Sequence, residues 1–143
     1  MVIAVIDGQG GGIGGHLVEK LRRALPEEVE IVALGTNALA TANMMKAGAN
    51  RGGSGEGAIV HTVRKVDLIV GTISIVLAYA MMGEVTPRMA EAVAESDAPK
   101  LLLPFNHSQV EVVGVAQEPL PHMIDALVEK ILSRLSKGGV RRV

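Results

Sequence analysis

Residues 7–15, DGQGGGIGG, have the composition and position of an anion-binding loop. The carboxylate of Asp7 ends an apolar run, six of these nine residues are glycine, and a helical pattern follows. Glycine lets the backbone approach a ligand closely, and a helix N-terminus presents unpaired N–H groups and a positive dipole end. We therefore expect the backbone here to bind phosphate, through residues Gly8, Gln9, Gly10, Gly11, Gly12, Ile13 and Gly14. The alternative is a tight strand-to-helix turn without a ligand.

The glycine spacing is similar to that of a known cofactor-binding turn. Gly8-x-x-x-Gly12-Ile13-Gly14 resembles the first turn of short-chain dehydrogenases, which bind nicotinamide dinucleotides. The Tyr-x-x-x-Lys pair of that family is missing, because Gly83 stands four residues after Tyr79. An acidic residue that would hold a ribose hydroxyl is also missing from residues 35–37. The resemblance therefore covers the first strand and helix, and it leaves the cofactor open.

Further polar residues follow other predicted strands. In an open parallel sheet, ligands bind beyond the carboxyl ends of the strands. The residues expected to line the site from there are Gly35, Thr36, Asn37, Gly71, Thr72, Ser74 and Asn106. His107 and Asp7 are the candidates for catalysis, since an imidazole and a carboxylate can transfer protons. Asp7 has an equally supported structural alternative, in which it accepts hydrogen bonds from the loop's own N–H groups.

Strand and helix patterns alternate along the chain. Apolar runs predict strands, and repeats of apolar residues at helical spacing predict the helices between and after them. These helices begin near Ile13, Ala38, Ile59, Pro87 and Pro121. The alternation predicts a single α/β domain over residues 1–137, a Rossmann-like three-layer fold with a mostly parallel five-stranded sheet and helices on both faces. Residues 138–143 are expected to be a frayed tail. Both the order 2-1-3-4-5 and the order 3-2-1-4-5 fit. The predicted strands are residues 2–6, 30–34, 67–71, 100–104 and 110–115.

Two segments are open to more than one interpretation. Residues 48–57 contain a second group of glycines, and we interpret them as a mobile loop over the pocket or as a turn into the next helix. Residues 73–83 are nearly all apolar and predict a buried helix or a helix at an interface. With Tyr79 and Met82, they are the expected contact of a homo-oligomer.

Composition excludes several classes of function. The formal net charge is −1, and Tyr79 and Phe105 are the aromatic residues, so we expect no binding of nucleic acid or of a membrane surface. There is no cysteine, and no histidine pair has metal-ligand spacing, so no metal site is predicted. The N-terminus lacks the basic and apolar regions of a signal peptide, and the expected location is the cytoplasm.

Several stretches, taken together and in order, resemble a family of bacterial proteins known as domain of unknown function 3842. They are VIDGQGGGIG (5–14), ALGTNALAT (33–41), GGSGEGAI (52–59), Gly83-Glu84-x-Thr86-Pro87 and Pro104-x-Asn106. The resemblance spans nearly the whole chain. It implies a single Rossmann-like domain in the bacterial cytoplasm, and it implies no activity or ligand.

Three functions are compatible with these residues. The leading hypothesis is a binding protein for a nucleotide or another phosphate-bearing small molecule at the glycine loop. The second is a small enzyme that uses a nucleotide or a nicotinamide dinucleotide in the same pocket. The third is an oligomeric structural or regulatory subunit without a ligand.

Overall fold

The computed structural model describes residues 1–104 and 110–137. Five strands form one sheet in which every neighbouring pair is parallel, in the order β3-β2-β1-β4-β5. The central strands are apolar without interruption, as expected for strands that are covered on both faces. The strands are β1 (Val2–Asp7), β2 (Glu30–Gly35), β3 (Arg51–Ser54), β4 (Leu68–Thr72) and β5 (Lys100–Leu103).

Helices cover both faces of the sheet and divide the core in two. The helices are α1 (Gly12–Ala24), α2 (Ala38–Lys46), α3 (Gly55–Thr62), α4 (Pro87–Glu95) and α5 (Leu120–Ser136). One core cluster joins α1, α2 and α5 to one face, with Leu17, Met44 and Ile131 fully buried. The other joins α3 and α4 to the opposite face, around Ile59 and Val93. The domain is therefore the three-layer α/β fold that the sequence predicts.

The fifth strand is not the one that the sequence predicts. Residues 110–115 form no strand; Gly114 has a positive φ of 90° and Val113 is 91% exposed. Instead, residues 51–54, inside the second glycine group, pair with β2. Arg51 supports this edge by donating two hydrogen bonds to the Glu30 carboxylate, at 2.8 and 2.9 Å. The interpretation of residues 48–57 as a mobile loop is therefore wrong. The alternative interpretation, that the segment leads into the next helix, is correct from Gly55 onward, where α3 begins.

The strand order places a crevice beside the glycine loop. Of the two orders considered, 3-2-1-4-5 describes the observed strands when they are counted along the chain. The predicted strands 1 to 4 correspond to β1, β2, β4 and β5. In that numbering they lie in the order 2-1-3-4, as in the predicted order 2-1-3-4-5, because β4 pairs with β1. Since α1 and α4 lie on opposite faces, the chain leaves β1 and β4 in opposite directions. A topological switch point of this kind opens a crevice at the carboxyl ends of the two strands.

The segment 73–83 is not the continuous helix that its apolar character predicts. A short 3-10 helix, Ile73–Val76, is followed by a series of turns. Tyr79, Met81 and Met82 have positive φ values of 57–67°, and Gly83 has a φ of 89°, so the chain reverses tightly here. Tyr79 is 70% and Met82 96% exposed. A homo-oligomer through this segment stays a prediction.

Part of the predicted site lies beyond the described residues. Asn106 and His107 fall outside them, and so does the tail 138–143. In the ranges 1–104 and 110–137, no helix has the length and the apolar character needed to cross a membrane.

Candidate functional site

Asp7 closes the glycine loop onto the end of β1. Its side chain is buried, with 6% of the residue exposed. One carboxylate oxygen accepts a hydrogen bond from the Gly8 N–H at 2.8 Å, and the other accepts one from the Gly14 N–H at 2.7 Å. The Gly11 N–H donates to the Gly8 carbonyl at 2.9 Å and completes the turn. Asp7 therefore has the structural role that the sequence analysis considered beside catalysis.

The glycines at every third position of the loop are required by packing. Gly8, Gly11 and Gly14 are buried. A Cβ atom at Gly8 would lie 2.6 Å from the Met81 sulfur, and one at Gly14 would lie 2.8 Å from the Asp7 Cβ. At Gly11 the Cβ would lie 2.8 Å from the Ala40 backbone, and φ is +72°. Gly11 and Gly14 let the loop and α1 approach α2 and the end of β1, and Gly8 lets the turn at Met81 approach the loop, whether or not a ligand is present.

Gly10 and Gly12 differ from the buried glycines. Both are exposed, and a Cβ atom at either position would meet no atom of the described residues within 4 Å. In residues 1–104 and 110–137, the N–H groups of Gly10, Gly12 and Ile13 have no hydrogen-bond acceptor. Packing does not explain why Gly10 and Gly12 are glycine.

The open glycines face a crevice of about 170 Å³ at the switch point. Its walls are residues 7–13, Thr72 and Met81. This volume is below the roughly 300–1,000 Å³ of pockets that enclose a whole drug-sized ligand. The crevice therefore suits a small group such as a phosphate, and the rest of a larger ligand would lie outside it.

Glu84 joins the loop to the end of β2. Its Oε1 atom accepts hydrogen bonds from the Thr36 hydroxyl at 2.7 Å, the Gln9 N–H at 2.8 Å and the Asn37 side-chain amide at 2.8 Å. The hydrogen bond from Thr36, followed by that from Gln9, lowers the pKa of Glu84 below its ordinary value of 4.5. Three donors on one oxygen thus hold this carboxylate charged and in a fixed position.

Sequence reasoning assigned no role to Glu84, although one signal was available. It lies within the Gly83-Glu84-x-Thr86-Pro87 stretch that carries the family resemblance. Asn43 was missed as well; its side-chain amide donates to the Gly10 carbonyl at 2.5 Å. Both residues are far from the loop in sequence, and their contacts with it depend on the tertiary fold.

The predicted residues at the end of β2 brace the loop. Asn37 caps α2 by accepting from the Ala40 N–H at 2.9 Å, and it donates to the Gln9 carbonyl at 3.0 Å. The N–H of Gly35 donates to the Thr41 hydroxyl at 3.1 Å. A Cβ atom at Gly35 would overlap that hydroxyl. The fold thus brings residues 35–37 to the loop as expected, with contacts to protein atoms.

The residues after β4 divide into two groups. Thr72 lines the crevice. Gly71 is enclosed in the sheet, where a Cβ atom would lie 2.8 Å from the Ile6 carbonyl oxygen. Ser74 is fully buried, and its hydroxyl has no hydrogen-bond partner within the described part of the chain. The fold therefore places Thr72 at the crevice, and it places Gly71 and Ser74 behind it.

Two of the larger depressions lie away from the loop. One, of about 480 Å³, lies between α3 and α4, and Arg64, Arg88 and Glu91 are among its lining residues. The other, of about 450 Å³, lies along β5 and α5 and is mainly apolar. Neither is lined by a residue that the sequence analysis assigned to the candidate site. The crevice at the loop combines unpaired N–H groups with glycines that packing does not explain, and for that reason it is the candidate site.

Comparison with known proteins gives a family and a weak structural likeness. No curated protein matches the chain. Among solved structures, the crystal structure of a universal stress protein in complex with cAMP is similar at 20% identity and a TM-score of 0.40, over 70% of this chain and 94% of that one. A likeness of this size says nothing about what this chain binds. Residues 2–136 match the family described as a domain of unknown function (DUF3842), and the chain belongs to that family.

Proposed function

We propose that residues 8–14 bind the phosphate of a nucleotide or of another phosphate-bearing small molecule. The observation that carries this proposal is the contrast among the loop glycines. Gly8, Gly11 and Gly14 are explained by the atoms packed against them, whereas Gly10 and Gly12 face open space. Bare backbone beside a crevice is what close approach of a phosphate requires.

Unpaired N–H groups supply the recognition. Those of Gly10, Gly12 and Ile13 are available at the first turn of α1, where the helix dipole favours an anion. Among the residues that the structure describes, no lysine or arginine lines the crevice. Binding therefore depends on hydrogen bonds from the backbone, and we expect it to change little with salt concentration, because ion pairs with side chains make no contribution.

The nearby carboxylates restrict the position of the phosphate. Asp7 accepts from the N–H groups of Gly8 and Gly14, and Glu84 accepts from that of Gln9. These three N–H groups are already used by protein atoms. A phosphate is therefore placed by the remaining N–H groups on the Gly10–Gly12 side of the loop, away from Glu84.

A thermal-shift experiment tests the proposal. The probes are NAD, NADP, ATP, GTP, AMP, glucose 6-phosphate and inorganic phosphate. A ligand at about one hundred times its Kd adds roughly 2.7 kcal/mol of stability, which for a domain of this size raises Tm by roughly 5–10 °C. We expect such a shift with at least one probe in the wild type.

Two matched variants locate the ligand. Gly10→Val places a side chain in the crevice and should abolish the shift. Gly57→Val is the control, since Gly57 is also exposed and a Cβ atom there would also meet no atom within 4 Å, but it lies on α3. The shift should persist in Gly57→Val. A shift that survives in Gly10→Val, or no shift with any probe in folded protein, would contradict the proposal.

A further inference from the structure

The end of β2 has an acidic group although residues 35–37 contain none. In dinucleotide-binding Rossmann domains, an acidic residue near this point accepts a hydrogen bond from a ribose hydroxyl. Here the connection between β4 and α4 supplies the carboxylate of Glu84, which the Thr36 hydroxyl and the Asn37 side-chain amide hold at 2.7 and 2.8 Å. The chain thus places an acid at the end of β2 from a distant part of the sequence.

We propose that Glu84 binds the ribose hydroxyls of a ribonucleotide whose phosphate lies at the glycine loop. This inference rests on the proposed function and narrows the ligand to molecules with an intact ribose. Gln9 connects the two parts of the site, because its N–H contacts Glu84 while the next residue, Gly10, faces the crevice. The ribose and the 5′-phosphate of a ribonucleotide are also adjacent, which matches the adjacent positions of Glu84 and the crevice.

The hydrogen bonds of Glu84 use one of its two carboxylate oxygens, and the other can accept from a ribose hydroxyl. All three donors use Oε1, and within residues 1–104 and 110–137 no hydrogen bond to Oε2 is present. The residue is partly exposed, so Oε2 is the oxygen left for a hydroxyl from outside the protein. Because Oε1 is held by three donors from two segments, the glycine loop and residues 36–37 after β2, the ligand would meet a carboxylate that is already in place.

A purely structural role for Glu84 is the competing explanation, and the two differ in what they predict. If Glu84 only braces the loop, its loss weakens every ligand by a similar factor. If it accepts from a ribose hydroxyl, its loss changes the ratio between ligands with and without that hydroxyl. The ratio of two Kd values therefore separates the two roles.

The experiment measures Kd by calorimetry for two pairs of probes, AMP with 2′-deoxy-AMP and NAD with NADP. Because a hydrogen bond to a charged group contributes strongly to binding, the Kd of wild type for AMP should be roughly tenfold or more lower than its Kd for 2′-deoxy-AMP. NAD should be preferred over NADP, because the 2′-phosphate of NADP replaces a hydroxyl with negative charge beside a carboxylate. In Glu84→Gln, both ratios should fall towards one.

Glu56→Gln is the matched control. Glu56 also accepts a hydrogen bond from a threonine hydroxyl, that of Thr86 at 2.6 Å, but it lies in the first turn of α3. This variant should keep both ratios. The comparison within wild type needs no variant, so equal binding of the two members of each pair overturns the inference even where Glu84→Gln fails to fold.

The outcomes separate the inference from the proposed function. Equal binding of the two members of each pair by wild type overturns the ribose contact and leaves phosphate binding standing. Ratios that are unchanged in Glu84→Gln, with all affinities reduced together, overturn it in favour of bracing. Failure of all four probes, together with every other compound of the thermal-shift panel, overturns both proposals.

Discussion

The chain has two glycine-rich segments that look alike in sequence and differ in structure. Residues 8–15 form the loop between β1 and α1 and the first turn of α1, at the centre of the sheet, whereas residues 52–57 form most of the edge strand β3 and the start of α3. In the first, two carboxylates bind backbone N–H groups. In the second, the hydroxyl of Thr41 lies within hydrogen-bond distance of the Gly53 carbonyl and the Ser54 hydroxyl.

The difference teaches that glycine content identifies close approach of the backbone without identifying what approaches. At Gly52 the neighbours are protein atoms, the methyl group of Thr41 at 2.8 Å and the sulfur of Met45 at 3.0 Å from a Cβ. At Gly10 a Cβ would meet no atom of the described residues within 4 Å. Both segments also hold one exposed glycine in a helix, Gly12 and Gly57. A central position at a switch point is what makes the first segment the candidate site.

The largest effect on stability is expected from Gly11→Ala. Its φ of +72° and the 2.8 Å distance from a Cβ to the Ala40 backbone make the substitution strained and overpacked. The free energy of unfolding, measured with urea, should fall by roughly 2–4 kcal/mol. Gly10→Ala is the control and should stay within about 0.5 kcal/mol of wild type. Equal losses in the two variants would contradict the division of the loop glycines.

Glu84→Gln should reduce stability in a manner that depends on pH. Because the pKa of Glu84 in the folded protein lies below 4.5, its carboxylate stabilises the fold above about pH 4.5. That contribution is lost as the pH falls through the lowered pKa. We expect a loss of about 1 kcal/mol at pH 7, where the hydrogen bonds to the charge are discounted for partial exposure. In thermal unfolding between pH 3 and 7, the gap to wild type should close at the acid end.

Thr41→Val makes the same test on the second segment. The threonine hydroxyl does not titrate, so the difference in stability between this variant and wild type should be similar throughout the same pH range. A pH-dependent gap for Thr41→Val, or a constant gap for Glu84→Gln, would show that the two segments are not held by different chemistry.

Gly52→Ala should cost less than Gly11→Ala, about 1 kcal/mol by urea unfolding. The atoms that a Cβ would meet are side-chain atoms of Thr41 and Met45, and the sulfur of Met45 can move. Residue Met45 is 37% exposed, which leaves it room to do so. A loss as large as that of Gly11→Ala would mean that the edge strand is packed as tightly as the loop.

The smallest effect, with the opposite sign, is expected from Gly57→Ala. This glycine lies inside α3 with open space around its Cβ position, so alanine should raise stability by roughly 0.5–1 kcal/mol through its higher helix propensity. Urea unfolding measures the change. A decrease would indicate a contact of Gly57 that the fold does not reveal.

Most of the fold could be predicted from the sequence, because local signals determine it. Continuous apolar runs identified the four strands β1, β2, β4 and β5. The side chains of Asn37 and Thr86 cap α2 and α4, so the start of each of these helices has a local signal in the sequence. The strand β3 could not be predicted in this way, since RGGS has neither β-branched nor aromatic residues and depends on pairing with β2.

The backbone of the candidate site could be predicted from the sequence, but the side chains that hold the loop in place could not. A glycine loop after a buried strand has a known position in an α/β fold, so the sequence was enough to propose residues 8–14 as candidates. Glu84 was not, because it is 47 residues from Asn37 and reaches it through a turn of left-handed residues that no local pattern indicates. Which loop glycines are buried was equally hidden, because it depends on how α2 packs on α1.

The most direct test of the account is to observe the N–H groups of the two segments during a titration with AMP, NAD or inorganic phosphate. Two-dimensional NMR of ¹⁵N-labelled protein resolves each backbone amide. The account predicts that Gly10, Gly12 and Ile13 shift together and saturably, while Gly52, Gly53 and Gly57 keep their positions. Unchanged signals at Gly10 and Gly12 with every probe, or shifts confined to the second segment, would contradict a phosphate site at the first.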